Sequence, residues 1–166
     1  ATGVLTGGYS YKVTYVNSFV AESDIGPVSN TSVAASATLR LSNIPVAPQS
    51  FGVSSRRIYR TETGGTTYKR VATISDNTTT TYDDNNADSS LGANAPTDNG
   101  VPPVYSVVVY HADRLFCNDA AEPSLVWFSN LAEPYTFAST NFIRLGDASA
   151  DLVKGLVVYD NSILVN

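Results

Sequence analysis

The chain has 166 residues, 43% hydrophobic and only 15% charged, with a formal net charge of −5. That length fits one large or two small domains with a real core, and the acidic balance argues against nonspecific nucleic-acid binding by the whole chain. The single cysteine excludes an intrachain disulfide, and no apolar run approaches the ~18 residues of a membrane-spanning helix.

The opening stretch, ATGVLTGGYSY, has neither the charged nor the apolar region of a signal peptide. The sequence contains no Met, and its last residues, NSILVN, fall inside a predicted strand. Both features predict a segment of a longer chain.

Helical periodicity is almost absent, and turn residues recur at short spacing, so the chain is predicted to be all-β. In YSYKVTYV, Tyr9, Tyr11, Val13 and Tyr15 alternate with Ser10, Lys12 and Thr14. That is a strand with one dry and one wet face. The same rule applied to SVAASATLRL turns Val33, Ala35, Ala37, Leu39 and Leu41 inward. Gly26-Pro27 marks a turn between the two. Residues 56–62 and 67–74 form a predicted hairpin about Thr63-Gly64-Gly65-Thr66, whose glycines supply positive φ. Alternation is less clean here, because Ile58 shares a face with Arg56 and Arg60, and Tyr68 with Arg70. TTTTYDD is a further Thr-rich strand.

Residues 84–103, rich in Asn, Asp, Ser, Gly and Pro, have little to bury and read as a linker or long connection. Composition then shifts to short, nearly wholly apolar segments: VYSVVVYHADRLFC, SLVWFSN, NFIRLG, DLVKGLVVYD and SILVN. Such runs fit strands buried on both faces. The predicted division is a first domain over 1–96, a linker over 97–103 and a second domain over 104–166.

Candidate chemistry is sparse. His111 is the only histidine, with Asp113 two residues on; no nucleophile signature accompanies them, so His111 reads as a strand-end residue beside a turn. Asp84-x-Asn86-x-Asp88 begins like a calcium loop, but Ser89 and Ala95 stand where such a loop needs Gly and Glu. It reads as a solvated acidic loop. Cys117, with no second cysteine, reads as a small buried apolar residue. Asn30-Thr31-Ser32 and Asn77-Thr78-Thr79 are glycosylation sequons, relevant only to a protein secreted by a eukaryote. No enzyme, metal or cofactor is predicted.

The basic cluster is the least ordinary feature. Six of the ten Lys and Arg residues are Arg40, Arg56, Arg57, Arg60, Lys69 and Arg70, and Glu62 is the only acid between Arg40 and Arg70. Three readings stand: nucleic-acid binding, a basic face that meets an acidic face of a neighbouring subunit, or a solvated hairpin whose charges deter edge pairing. No RNA signature or zinc-finger spacing supports the first.

Two stretches carry a resemblance. GGYSYKVTYVNSFVAESDIGPVSN, then LRLSNIPV, then RRIYRTETGGTTYKRVATISDNTTTTYDDNNADSSLGANAP, resembles a module of structural proteins in tailed bacteriophages. The shared features are a Y-x-Y-x-V strand, a Glu-Ser loop, an L-S-x-I-P strand, an I-Y-R-T hairpin with Gly-Gly and Y-x-x-V-A-T-I, and a T-T-T-Y-x-D strand. The second stretch runs from VYHADRLFC to the last residue. It is similar to the start of a propeller-like domain of phage tail proteins. There an R-L-F strand precedes one ending in aromatic-Ser, a Pro-aromatic turn, a strand entering Gly-Asp, a strand like residues 152–158, and an L-x-V strand.

The resemblance implies a fibronectin type III-like β-sandwich followed by a second, propeller-like β domain. Residues 101–166 hold strands for one or two blades where a propeller needs about four, so this domain is either a propeller cut short here or a small sheet that docks on a neighbour. It implies a non-enzymatic virion protein of the tail or head-tail junction, nozzle-like, made in the host cytoplasm. Its partners are then identical subunits in a ring and neighbouring virion proteins, with DNA met only in the tail lumen. Arg56, Arg57, Arg60, Lys69 and Arg70 are the expected subunit-interface residues. Changing Arg56, Arg57 and Arg60 together to Glu is expected to leave the domain folded and block assembly. The alternative is a receptor- or carbohydrate-binding module, with Tyr135 and Phe137 as the stacking candidates.

Overall fold

The computed structural model describes residues 2–146 and 152–166. Its described residues contain no α-helix, only strands and short 3₁₀ turns at Gln49–Phe51 and Asp88–Ser90, so the all-β class holds. The chain divides between Thr97 and Asp98 into two units.

The first unit opens with a long hairpin. β1 (Thr2–Tyr9) and β2 (Tyr11–Asn17) follow one another across a break at Ser10. β1 pairs antiparallel with β3 (Ser32–Ala37), from Tyr9 opposite Ser32 to Thr2 opposite Ala37. Residues 21–29 continue that partnership along β2. The N–H groups of Ser23, Gly26 and Ser29 donate to the carbonyls of Tyr15, Val13 and Tyr11 at 2.8, 3.0 and 2.8 Å. Tyr11 and Tyr15 donate back to the hydroxyls of Ser29 and Ser23 at 2.9 and 3.0 Å. Serine oxygens thus stand in for carbonyls where Gly26-Pro27 prevents a regular strand. Gly7, at φ 117°, is required by both backbone and space: a Cβ there would lie 2.5 Å from Thr63 Cγ2.

β4 (Leu39–Leu41) pairs only with β7 (Tyr82–Asp84), while β5 (Val53–Thr61) sits between β2 and β6 (Tyr68–Ile74). The predicted β5–β6 hairpin is present, from Thr61 opposite Tyr68 to Arg56 opposite Ile74, with a bulge after Ile58. Residues 92–95 run along the far edge of β6: Gly92 and Ala95 donate to Arg70 and Tyr68, and Arg70 to Ala93. These sheets share one apolar cluster of Leu5, Tyr9, Tyr11, Ala34, Ile44, Ile58 and Ile74, a sandwich-like arrangement.

The predicted inward set of 33–41 fails at Val33 and Ala35 and holds at Ala37. Val33 is 78% exposed and Ala34 is buried, whereas Leu39 and Leu41 do pack on the core. Ala37 faces both Thr2 and Leu5, and Ser36 has φ 51°. This irregularity shifts the alternation within the segment.

In the second unit, β8 (Val108–His111), β9 (Arg114–Asn118), β10 (Leu125–Phe128) and β11 (Phe142–Arg144) form an antiparallel meander in chain order. β12 (Leu156–Tyr159) and β13 (Ser162–Val165) form a separate hairpin. Residues 152–155 are not strand, and Asp147 of the Gly-Asp step lies outside the described residues. The predicted linker is not free chain. Ser139, Phe137 and Ala120 donate backbone N–H bonds to the Asp98 carboxylate and to the Gly100 and Val104 carbonyls, each at 2.8 Å. Only the bond to Asp98 uses a polar side chain of the linker.

The β8–β9 turn is Ala112-Asp113 (φ 47° and 58°) and the β12–β13 turn Asp160-Asn161 (44° and 59°). Positive φ at both central residues defines the hairpin turn that follows strand twist. Ala112 is the poor fit, because its Cβ is strained there. Ala112→Asn is expected to stabilise the second unit by about 0.5–1 kcal/mol, read as a rise in melting temperature.

Burial on both faces, predicted for these strands, is only partly met. Cys117, Leu125 and Val126 are buried, but Val108, Tyr110, Phe142, Ile143, Val157 and Leu164 are exposed.

Candidate assembly surface

β5 decides where the basic cluster goes. Arg56, Ile58 and Arg60 share one face, and all three are fully buried. Arginine therefore fills two of the positions on the Ile58 face, and the other face is also buried at Tyr59 and Thr61. Arg60 Nε lies 2.8 Å from Asp84 Oδ2, and both side chains have no exposed surface. That N–H makes no aligned hydrogen bond, so the contact is ionic. Arg60 Nη1 donates to Asp88 Oδ1 at 2.5 Å and Nη2 to the Asn86 carbonyl at 2.6 Å. The Tyr9 ring lies 4.5 Å from the guanidinium carbon, and Tyr11 OH donates to Asp84 Oδ2 at 2.9 Å.

The charges follow from this geometry. Burial opposes the Arg60 charge, but Asp88 and Asp84 outweigh it and raise its pKa. Burial opposes the Asp88 charge too, but the Thr63 N–H and Arg60 outweigh it and lower its pKa. Burial, then Asp84, push the Tyr11 phenol up. The Asp84-x-Asn86-x-Asp88 pattern thus wraps a guanidinium. Among the described residues, no group of three or more His, Cys, Asp or Glu is placed to hold a metal.

Arg56 binds three carbonyls: Nη1 donates to Pro45 at 2.8 Å, Nε to Asp76 at 3.1 Å and Nη2 to Thr79 at 2.6 Å. Nη2 also pairs with Asp76 Oδ1 at 3.1 Å. The Thr79 hydroxyl and N–H, with the Thr78 N–H, hold the Asp76 carboxyl well below its ordinary range. Asn77, of the second sequon, clasps Ala47 through its N–H and carbonyl at 2.9 and 2.8 Å.

The outward residues are paired as well. Arg57 forms an ion pair with Glu22. Glu22 Oε1 also accepts from Thr14 Oγ1 and Tyr59 OH, each at 2.5 Å. Burial, then Glu22, push Tyr59 up to about 12. Lys69 bonds Glu62 at 2.8 Å, and Arg40 bonds Asp83 at 3.1 Å in the open. Arg70 is half-buried, and a Cβ on Gly92 would lie 3.3 Å from its Nε. Residues 1–97 hold seven Lys and Arg and seven Asp and Glu; residues 98–166 hold three and eight. The whole net charge of −5 therefore falls on the second unit.

The sequence expectations need correcting at several residues. Arg56 and Arg60 are buried and cannot present their charges to a neighbour. Arg57 and Lys69 face outward but are neutralised locally. Phe137 is 3% exposed, so it offers no stacking face; Tyr135 is 47% exposed. Asp113 sits in the turn and accepts from Tyr110 OH at 2.7 Å, so it does not share an extended strand with His111. Sequence reasoning missed Glu22, Asp76, Asp84 and Asp88 as arginine partners. The available signal was that Arg56 and Arg60 alternate with Ile58, which places them on its face.

No family model matches the chain, and no similar curated protein or solved structure was found.

Acid should act through these carboxylates. Asp76 and Asp88 titrate below their ordinary value. Their stabilisation is complete above the unfolded-state pKa, about 4, and is lost as pH falls through the folded values. The first unit is expected to keep its melting temperature between about pH 8 and 5 and to lose it below about pH 4, measured by circular dichroism. A fall already between pH 7 and 5 would contradict this.

Proposed function

We propose that the chain is a non-enzymatic structural module of a tailed-phage virion, in the tail or head-tail junction. The first unit acts as a fibronectin-like spacer and the second supplies blade material of a propeller. The observation that carries the reading is the β8–β11 meander. Phe116 and Phe128 face one another on one side, 5.9 Å between ring centres, and Trp127 meets Phe142 at 5.3 Å beside Cys117 on the other. A four-stranded meander that is apolar on both faces needs neighbours on both, as a propeller blade does. β12 lies against β8 rather than extending the sheet, as the first strand of a following blade would. The exposed apolar residues of β8, β11, β12 and β13 are the surface that such neighbours cover.

The phage context rests on the resemblance, and rings of identical subunits follow from it by closed symmetry. The test is mass spectrometry of purified virions from a phage that encodes the chain. The tryptic peptide TETGGTTYK, residues 61–69, is expected in a tail-fraction band. Its absence from every virion band would remove the reading.

A further inference from the structure

We propose that the open edge of β4, with the groove beside it, binds an extended peptide strand that is apolar at alternate positions and is donated by another polypeptide chain. The inference is independent of the virion reading. In the three-stranded sheet both edges are covered: residues 21–29 lie on β2 and residues 92–95 on β6, each with backbone hydrogen bonds. β7 takes one edge of β4, and among the described residues no strand takes the other. An uncovered edge is a template for a further strand.

A groove of about 740 Å³ opens beside that edge, between β2 with residues 26–30 on one wall and residues 40–45 on the other. Val13, Val28, Leu41, Ile44 and Ile58 line it. Its size suits a bound ligand. A backbone edge beside an apolar slot is the geometry of β-augmentation, where main-chain bonds give affinity and alternate side chains fill the slot. The lining is electrically neutral. No Asp or Glu contributes, and its two cations are engaged elsewhere, Lys12 over the Tyr68 ring at 4.9 Å and Arg40 with Asp83. The occupant's inward residues are therefore uncharged.

The test is an amide and methyl NMR titration of the full chain. The probe is a capped synthetic peptide alternating Val and Thr; the control replaces each Val by Asp. Saturable shifts are expected at residues 39–44 and at the Val13 and Ile58 methyls with the Val peptide, and none with the Asp peptide. Val28 is 56% exposed, so Val28→Asp should leave the melting temperature unchanged while weakening the Val peptide by about tenfold. The proposal fails if neither peptide binds, if the shifts map away from the groove, or if both peptides or both proteins behave alike. Detection of the chain in virions has no bearing on any of these readouts.

Discussion

Arg60→Ala is expected to cost the first unit about 3–5 kcal/mol, because removing one member of a buried ion pair leaves the other charge unpaired. Asp84 would then sit fully buried with only Tyr11 and Asn86 as polar neighbours. At an m-value of about 2 kcal/mol/M, the urea midpoint falls by roughly 2 M. Trp127 belongs to the second unit, so the loss is followed by tyrosine circular dichroism rather than tryptophan emission. The same rule predicts that the apolar triple change Arg60→Met, Asp84→Leu and Asp88→Leu recovers much of the stability. A midpoint for Arg60→Ala within about 0.5 M of wild type would refute the role given to this pair.

Arg56→Met is the second large effect. It removes the donor from the carbonyls of Pro45, Asp76 and Thr79. The Arg56 side chain is fully buried, and each hydrogen bond from a charged group contributes about 1.5–3 kcal/mol, so the sum is about 3 kcal/mol or more. Urea unfolding of this variant beside Arg40→Ala makes the contrast, because the Arg40–Asp83 pair is open to water and should cost under about 1 kcal/mol. Equal losses would show that burial does not set the difference. Changing Arg56, Arg57 and Arg60 together to Glu is thus expected to unfold the first unit, not to leave a folded domain that fails to assemble.

Much of the fold was legible because it rests on local rules. The β5–β6 hairpin followed from two strand-like runs about the turn residues Gly64 and Gly65. The destination of the arginines was not legible by the same means. Charge suggested surface for Arg56 and Arg60, while their spacing from Ile58 put them inside; spacing prevailed because carboxylates and carbonyls wait there. Those partners come from residues 45, 76, 79, 84 and 88, a long-range fact that no window along β5 contains. The reversal at Val33 had a similar cause, since a single irregular residue, Ser36, leaves periodicity intact on either side and breaks it across.

The Arg60 network also orders events in time. A ribosome delivers Arg60 well before Asp84 and Asp88, at ~5–20 residues per second. Until those carboxylates emerge, the guanidinium has no partner in the interior and must stay hydrated, so β5 cannot settle into its final place. Residues 92–95, which close the edge of β6, come later still. The first unit therefore completes itself only after its whole length is made, and a nascent chain stalled before Asp84 holds an exposed β2–β5 surface for chaperones to guard.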